Sequence, residues 1–215
     1  MLEVNSLSIK YNDQVKYLFS PVSFSLQAGN ILCLQGANGS GKTSLLYALC
    51  NVIPQILEAD RDGLLFLDGK NYNSIPVNLL MPDISMMLSN PHWQLFYPTP
   101  EEEIVFVLEN AGLQEHEIEE RLNNALHLFQ LVQFRHAQSA SFSYGQQKMI
   151  LFAVQAAINP KLLLLDEPFD GLSEQNVILV VEWLKAYTKS GGMLIIADHT
   201  GLLNSMQTKI FSLSG

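Results

Sequence analysis

The stretch QGANGSGKTS (residues 35–44) decides the fold of this chain. Gly36, Gly41, Lys42 and Thr43 stand in the spacing G-x-x-x-x-G-K-[ST]. A short apolar run, residues 31–34, comes directly before the stretch, and a segment compatible with a helix follows it to about residue 51. Strand, glycine-rich loop and helix, in that order, are the context in which this pattern binds a polyphosphate.

The loop residues divide into backbone and side-chain roles. Its N–H groups and the start of the helix would wrap the phosphates, because both present positive partial charge to an anion. Lys42 would reach the β- and γ-phosphates, and the Thr43 hydroxyl would bind Mg²⁺. An incidental glycine-rich turn is the weaker explanation of the spacing. The predicted nucleotide-binding residues of the loop are Gly36, Ala37, Asn38, Gly39, Ser40, Gly41, Lys42, Thr43 and Ser44.

Two further segments place polar residues after apolar strands. In KLLLLDEP (residues 161–168), Asp166 ends a predicted buried strand and is a candidate Mg²⁺ ligand, while Glu167 is placed to polarise an attacking water as general base. In ADHT (residues 197–200), His199 follows the next strand and is a candidate contact for the γ-phosphate. Either segment alone would be a weak signal, but both support the phosphate loop.

Composition limits the classes of function. The 215 residues are 48% hydrophobic and 15% charged, which is typical of a globular domain. The net charge of −9 argues against a protein that coats nucleic acid, and we expect no nucleic-acid partner. The longest apolar runs are far shorter than the roughly 18 residues that a membrane-spanning helix needs.

Predicted strands and helices alternate along the chain, which indicates an α/β fold with a mostly parallel core sheet. The predicted strands cover residues 22–26, 31–34, 63–67, 84–88, 161–165, 193–197 and 209–213. The predicted helices start near residues 41, 99, 115, 143 and 174. We expect one domain, 1–215, with its core in about 1–88 and 160–215 and a helical subdomain inserted at about 99–158.

These segments, together with SFSYGQQKM (residues 141–149), resemble the ATP-binding subunit of ABC transporters. Ser143, Tyr144, Gly145 and Gln146 match the signature motif of that family, usually LSGGQ, with Tyr144 in place of a glycine and Phe142 in place of the leucine. The resemblance implies a P-loop NTPase that has an N-terminal antiparallel β portion and hydrolyses ATP with Mg²⁺. It also implies a second ATP-binding subunit, whose site the signature completes, and a membrane-embedded transporter subunit at the cytoplasmic face of the membrane.

More narrowly, NPHWQLFYPTPEEEIVF (residues 90–106) and NVIPQIL (residues 51–57) resemble the energy-coupling-factor branch, which imports vitamins or cobalt and nickel ions. That resemblance implies that Trp93, Gln94 and Phe96 line a groove for the membrane subunit. The alternative is a loop that folds onto its own domain. Tyr11 matches the aromatic residue that stacks on adenine in the family, although a core tyrosine would look the same.

Two departures from the family pattern put efficient hydrolysis in doubt. Ser89 stands where the family has a Mg²⁺-contacting glutamine, so its place among the metal ligands is doubtful. Ser173 stands where an aspartate normally contacts the second subunit. A weakly hydrolysing regulatory subunit therefore stays open as an alternative. A soluble ABC ATPase is a further alternative, although the DNA-repair type needs a long coiled coil between Thr43 and Ser143 and the translation type normally carries two such domains. A simple P-loop kinase would not explain residues 143–146.

Overall fold

The computed structural model describes residues 1–12, 14–203 and 208–213; residues 13, 204–207 and 214–215 of the predicted domain lie outside it. The strands are β1 Leu2–Tyr11, β2 Val22–Leu26, β3 Ile31–Gln35, β4 Ala59–Leu67, β5 Lys70–Asn71, β6 Ile84–Met87, β7 Leu162–Asp166, β8 Met193–Ala197 and β9 Thr208–Ser212. The helices are α1 Lys42–Leu49, α2 Val52–Gln55, α3 Val77–Leu80, α4 Pro100–Asn110, α5 Glu115–Leu128, α6 Tyr144–Ile158 and α7 Glu174–Lys189.

A five-stranded sheet in the order β6-β7-β8-β3-β9 forms the centre of the fold, and each neighbouring pair is parallel. Its middle strands are continuous apolar runs, and every residue of β7 and β8 is buried. Parallel sheets bury both faces, which explains why these strands show no alternation with polar residues. Because the strands are parallel, their carboxyl ends lie along one edge of the sheet.

Alternate residues of these strands enter two separate cores. On β7, Leu163 and Leu165 pack into a cluster with helices α4 to α7. Leu162 and Leu164 pack instead with α1 and the antiparallel strands. The period of two along a strand therefore joins the sheet to a helical layer on one face and to a mixed layer on the other.

A second, antiparallel sheet in the order β2-β1-β4-β5 supplies the N-terminal part of the fold. Its longest strand, β1, has an irregularity in its pairing with β4 between Asn5 and Ser8, which shifts the alternation of inward and outward side chains by one residue. Leu2 and Val4 point inward before it, and Leu7 after it. Ser6 has a positive φ of 52° at this point, and Gly63 faces it on β4. A Cβ on Gly63 would lie 2.7 Å from the Leu7 Cα, so the close approach of the two strands requires glycine.

Helices α4, α5 and α6 pack against one another, and α6 is buried along almost its whole length. The predicted helix starts are present as capping boxes: Thr99 with Glu102 begins α4, and Ser143 with Gln146 begins α6. Two short 3-10 turns, at 132–134 and 139–141, lie between α5 and α6 in the block from 99 to 158. Those turns close the connections between the helices.

The predicted fold class is confirmed: a P-loop α/β fold has a parallel sheet, an antiparallel sheet and added helices. The exact division into a core and a helical subdomain stays a prediction. Within the described ranges, no helix is both long and apolar enough to cross a membrane.

Candidate nucleotide-binding site

Four predicted site segments follow four strands of the parallel sheet and meet at its carboxyl edge. The phosphate loop follows β3, Ser89 follows β6, Asp166 and Glu167 end β7, and His199 follows β8. Ligands of open α/β sheets bind at this edge. A cavity of about 310 Å³ opens there and is lined by Leu18, Asn38, Gly39, Gly41, Lys42, Thr43, Ser44, Ser89, Asp166 and Glu167.

The phosphate loop has the geometry of an anion site. Helix α1 begins at Lys42, so its first-turn N–H groups face the cavity at the positive end of the helix. The Lys42 ammonium folds across the loop and donates to the carbonyl oxygens of Gly36 at 2.9 Å and Ala37 at 3.1 Å. An ammonium has three donors, so one remains for a phosphate oxygen. The lysine therefore keeps donor capacity for a polyphosphate.

Oxygen donors suitable for a hard cation lie beside this loop. The Thr43 hydroxyl donates to a carboxylate oxygen of Asp166 at 3.0 Å. Burial raises the pKa of the Asp166 carboxyl, while the Thr43 bond and the Lys42 charge oppose that rise. Hydroxyl and carboxylate oxygens are the ligands that Mg²⁺ takes in sites of this kind. These two residues therefore fit Mg²⁺, and Ser89 lines the same cavity.

Glu167 and His199 form a hydrogen-bonded pair at the mouth of the cavity. The His199 Nδ1 lies 2.8 Å from the Glu167 Oε2. Burial raises the pKa of the Glu167 carboxyl, and the histidine opposes that rise. Glu167 has a positive φ of 44°, and its N–H donates to the carbonyl of Ala197 at 2.9 Å. The pair is therefore held at the end of the sheet, where a base can act on a water beside the phosphates.

The signature residues lie at the start of α6. The Ser143 oxygen accepts the Gln146 N–H at 3.4 Å, and the Gln146 side chain accepts the Ser143 N–H at 2.9 Å. Gly145 lies so close to Gly171 that a Cβ would be 2.5 Å from its carbonyl oxygen. In the described part of the chain, none of the residues 143–146 lines the phosphate cavity, and their action on a second subunit stays a prediction.

Tyr11 lies at the end of β1, half-buried against the core of the antiparallel layer. Its hydroxyl lies 2.9 Å from the hydroxyl of Ser44, just after the phosphate loop. This contact supports a structural role for the tyrosine, and stacking on adenine stays a prediction.

An apolar cavity of about 280 Å³, called the groove below, lies beside the loop for which a partner surface is predicted, and only part of the predicted set lines it. Phe96 lines it and is 76% exposed. Trp93 is 63% exposed and does not line it, because it ends a 3-10 turn outside the cavity. Gln94 lines it, but its amide is bound to the backbone of Met86 and Leu88. Of the three residues, Phe96 and Gln94 thus line this cavity and Trp93 does not, and the contact of all three with a membrane subunit stays a prediction.

Lys148 is a site residue that the sequence reasoning missed. Its side chain is fully buried, and its ammonium donates to the carbonyl of Glu167 at 2.7 Å. Burial lowers the pKa of this lysine, whereas the neighbouring carboxylates oppose that change. A lysine inside the apolar sequence QQKMILF was the signal available, because an unpaired lysine is almost never fully buried.

The Glu167–His199 pair predicts a shift in the titration of the histidine. The carboxylate raises the pKa of the exposed His199 ring by a hydrogen bond and by its charge. We expect its NMR titration midpoint to lie above the ordinary value of about 6.5 and to fall in Glu167→Gln. As pH rises through that midpoint, the attraction within the pair is lost. A His199→Asn variant assigns the resonance, and an unchanged midpoint in Glu167→Gln would contradict the pairing.

Comparison with known proteins agrees with this geometry. The family model described as ABC transporter matches residues 19–170. A protein of Listeria monocytogenes, named as an ABC transporter ATP-binding protein, is 31% identical over 93% of this chain and 73% of its own length. One of Treponema denticola with the same kind of name is 28% identical over 93% of this chain, but the match spans 40% of that protein.

Solved structures match over nearly the whole chain. A structure titled as the ATP-binding subunit of an ABC transporter has a TM-score of 0.84 at 22% identity and covers 100% of this chain and 88% of that one. CbiO1 from Clostridium perfringens, described as part of the ABC transporter complex CbiONQ, has a TM-score of 0.80 at 26% identity and covers 99% of this chain and 84% of that one. The chain therefore belongs to the ABC transporter family, of which it is an ATP-binding ATPase subunit.

Proposed function

We propose that the chain hydrolyses Mg-ATP as one half of a dimer at the cytoplasmic face of a membrane and thereby powers an importer of the energy-coupling-factor type, for a vitamin or a transition-metal ion. The observation that carries the proposal is the meeting of the phosphate loop, Asp166, Glu167 and His199 at one sheet edge. The likeness to CbiO1 over 99% of this chain supports the importer type.

In this mechanism the chain binds the phosphates, orients the catalytic carboxylate and takes a proton from the attacking water. The loop N–H groups and Lys42 hold the β- and γ-phosphates. Thr43 and Asp166 would hold Mg²⁺, which would neutralise phosphate charge. Glu167 takes the proton of the water whose oxygen attacks the γ-phosphorus, while the bond to the leaving β-phosphate oxygen breaks. His199 orients the Glu167 carboxylate through their hydrogen bond, and it would contact the γ-phosphate.

The dimer would complete each site with the signature of the second subunit, which is either a copy of this chain or a related one. Ser143 begins a 15-residue helix, so its hydroxyl and the N–H groups of Tyr144, Gly145 and Gln146 present positive partial charge to an anion. The second candidate function is a weakly hydrolysing regulatory subunit, and it is favoured by Ser89 and Ser173. Ser173 caps α7 through the Asn176 N–H at 3.3 Å, so its side chain is engaged within its own chain.

The membrane subunit would bind the apolar groove. The wall formed by Phe96, Phe106 and Met81 is partly exposed, and the apolar surface continues over Leu79. The loop that carries Phe96 is held independently of its ring: the buried Glu103 carboxylate accepts the N–H groups of Phe96 and Tyr97, each at 2.9 Å. The aromatic side chain is therefore free to contact a partner.

Nucleotide binding tests the first step. Lys42→Ala removes the ammonium beside the phosphates, and because bonds to charged groups are among the strongest, we expect ATP affinity to fall about tenfold or more. Titration calorimetry measures it. Lys185→Ala, which removes an exposed lysine paired with Glu182, is the matched control. Equal affinities in the two variants would refute the assignment of the loop.

Hydrolysis tests the base. Glu167→Gln keeps the shape of the side chain but cannot take the proton of the water, so we expect turnover to fall about 10²–10⁴-fold. With ATP, the variant should accumulate as a closed dimer in sizing chromatography. Glu182→Gln on the exposed face of α7 is the control. Normal turnover in Glu167→Gln would move the role of base to another group, first of all to His199.

Copurification tests the groove. Phe96→Ala should release the membrane subunit, because truncating an aromatic anchor commonly costs about 2 kcal/mol or more of binding. Ile178→Ala removes a side chain of similar exposure, 64%, from the distant helix α7 and should retain the partner. ATP affinity should stay unchanged in both variants. If Phe96→Ala retains the partner as well as Ile178→Ala does, the groove is not the docking site.

A further inference from the structure

Tyr144 makes contacts within its own chain that the glycine of the usual signature could not make. Its hydroxyl donates to the carbonyl oxygen of Ser89 at 2.7 Å, across 55 residues of sequence. Ser89 follows β6 and lines the phosphate cavity. The start of α6 is thus bound directly to the loop that borders the nucleotide site.

The ring of Tyr144 is also packed in place. It lies against Gly171, where a Cβ would come within 2.6 Å of the Tyr144 Cδ1, and the positive φ of 74° at that position suits glycine. The Lys148 ammonium lies 5.3 Å from the ring centroid, within the range of a cation–π contact. The His92 ring meets it edge-on at 6.5 Å. Two contacts from the loop of residues 88–92, one from Gly171 and one from Lys148 of the same helix therefore fix this side chain.

These contacts form a continuous path between Glu167, the proposed base, and the loop that carries Ser89. Lys148 donates to the backbone carbonyl of Glu167, its ammonium faces the Tyr144 ring, and the Tyr144 hydroxyl holds Ser89. Ser89 itself is too short to take the place of a glutamine that would hold this loop to the nucleotide. The hydroxyl of Tyr144 supplies a hydrogen bond to the same loop, at the carbonyl of Ser89.

We propose that Tyr144 is a positioning residue that holds the loop of residues 88–92 against the first turn of α6 and thereby keeps Ser89 at the phosphate cavity. The hold on the loop is independent of the function proposed above, whereas the effect on hydrolysis rests on it. The consequence is that the signature helix and the loop leading to Phe96 move as one body.

Tyr144→Phe tests the proposal, because it removes only the hydroxyl and keeps the ring over Gly171 and Lys148. Tyr72→Phe is the matched control: it also removes a phenol that donates to a backbone carbonyl, that of Leu49 at 3.0 Å, in the antiparallel layer away from the site. A single hydrogen bond changes a local equilibrium by about two- to tenfold. We expect hydrogen exchange in residues 88–95 to accelerate by that factor in Tyr144→Phe and to stay unchanged in Tyr72→Phe.

The second measurement is steady-state ATP hydrolysis by the chain copurified with its membrane subunit. In Tyr144→Phe we expect kcat to fall about two- to tenfold and KM for ATP to stay within about twofold, because the phosphate loop is intact. Tyr72→Phe should change neither value. Because a loss of folded protein would also lower the apparent kcat at constant KM, kcat is calculated per nucleotide-binding site, counted by titration calorimetry.

The outcomes are separable. Unchanged exchange in residues 88–95 overturns the proposed hold on the loop. Accelerated exchange with an unchanged kcat, or with a change in KM alone, overturns the role in hydrolysis. If no membrane subunit copurifies and the wild-type chain hydrolyses no ATP, the function proposed above fails, while the exchange measurement, made without nucleotide, still decides whether Tyr144 holds the loop.

Discussion

The parallel pairing of β6, β7, β8 and β3 is the constraint on which the site depends. The register aligns Met87 with Leu165, and Asp166 with Ala197, so the residues that follow each strand emerge at one level. The strands keep this register because they are buried on both faces and a slip of one residue would exchange the side chains of the two cores. The positions of the site residues are thus set by the apolar packing of the strands that precede them.

The sequence predicted best those parts whose signals are local. The phosphate loop, the strand before Asp166 and the capping boxes at Thr99 and Ser143 each depend on residues within a few positions of one another. They were found because loop chemistry and helix caps restrict residue type at fixed spacings. The family resemblance added the order of the motifs, and it supplied the expectation of an antiparallel portion.

What escaped prediction depends on contacts between distant segments. β1 was not located, because the change of phase at Ser6 breaks the alternation by which a strand is found. The contacts of Trp93 and Gln94 could not be predicted from their residue types. Both side chains suit a partner surface, yet the Gln94 amide binds the backbone of Met86 and Leu88. The contacts of Lys148 with Glu167 and of Tyr144 with Ser89 escaped for the same reason, since the partners lie 19 and 55 residues away.

The capping box at the start of α6 has a consequence for recognition. The Ser143 hydroxyl oxygen accepts a backbone N–H of its own helix. This bond uses a lone pair of the oxygen and leaves the hydroxyl hydrogen available as a donor. The Ser143 hydroxyl can thus cap the start of α6 and donate a hydrogen bond outward at the same time. Because the cap selects the rotamer when the chain folds, the entropy of orienting that donor is lost before any ligand arrives, and an anion that meets it finds a preorganised group.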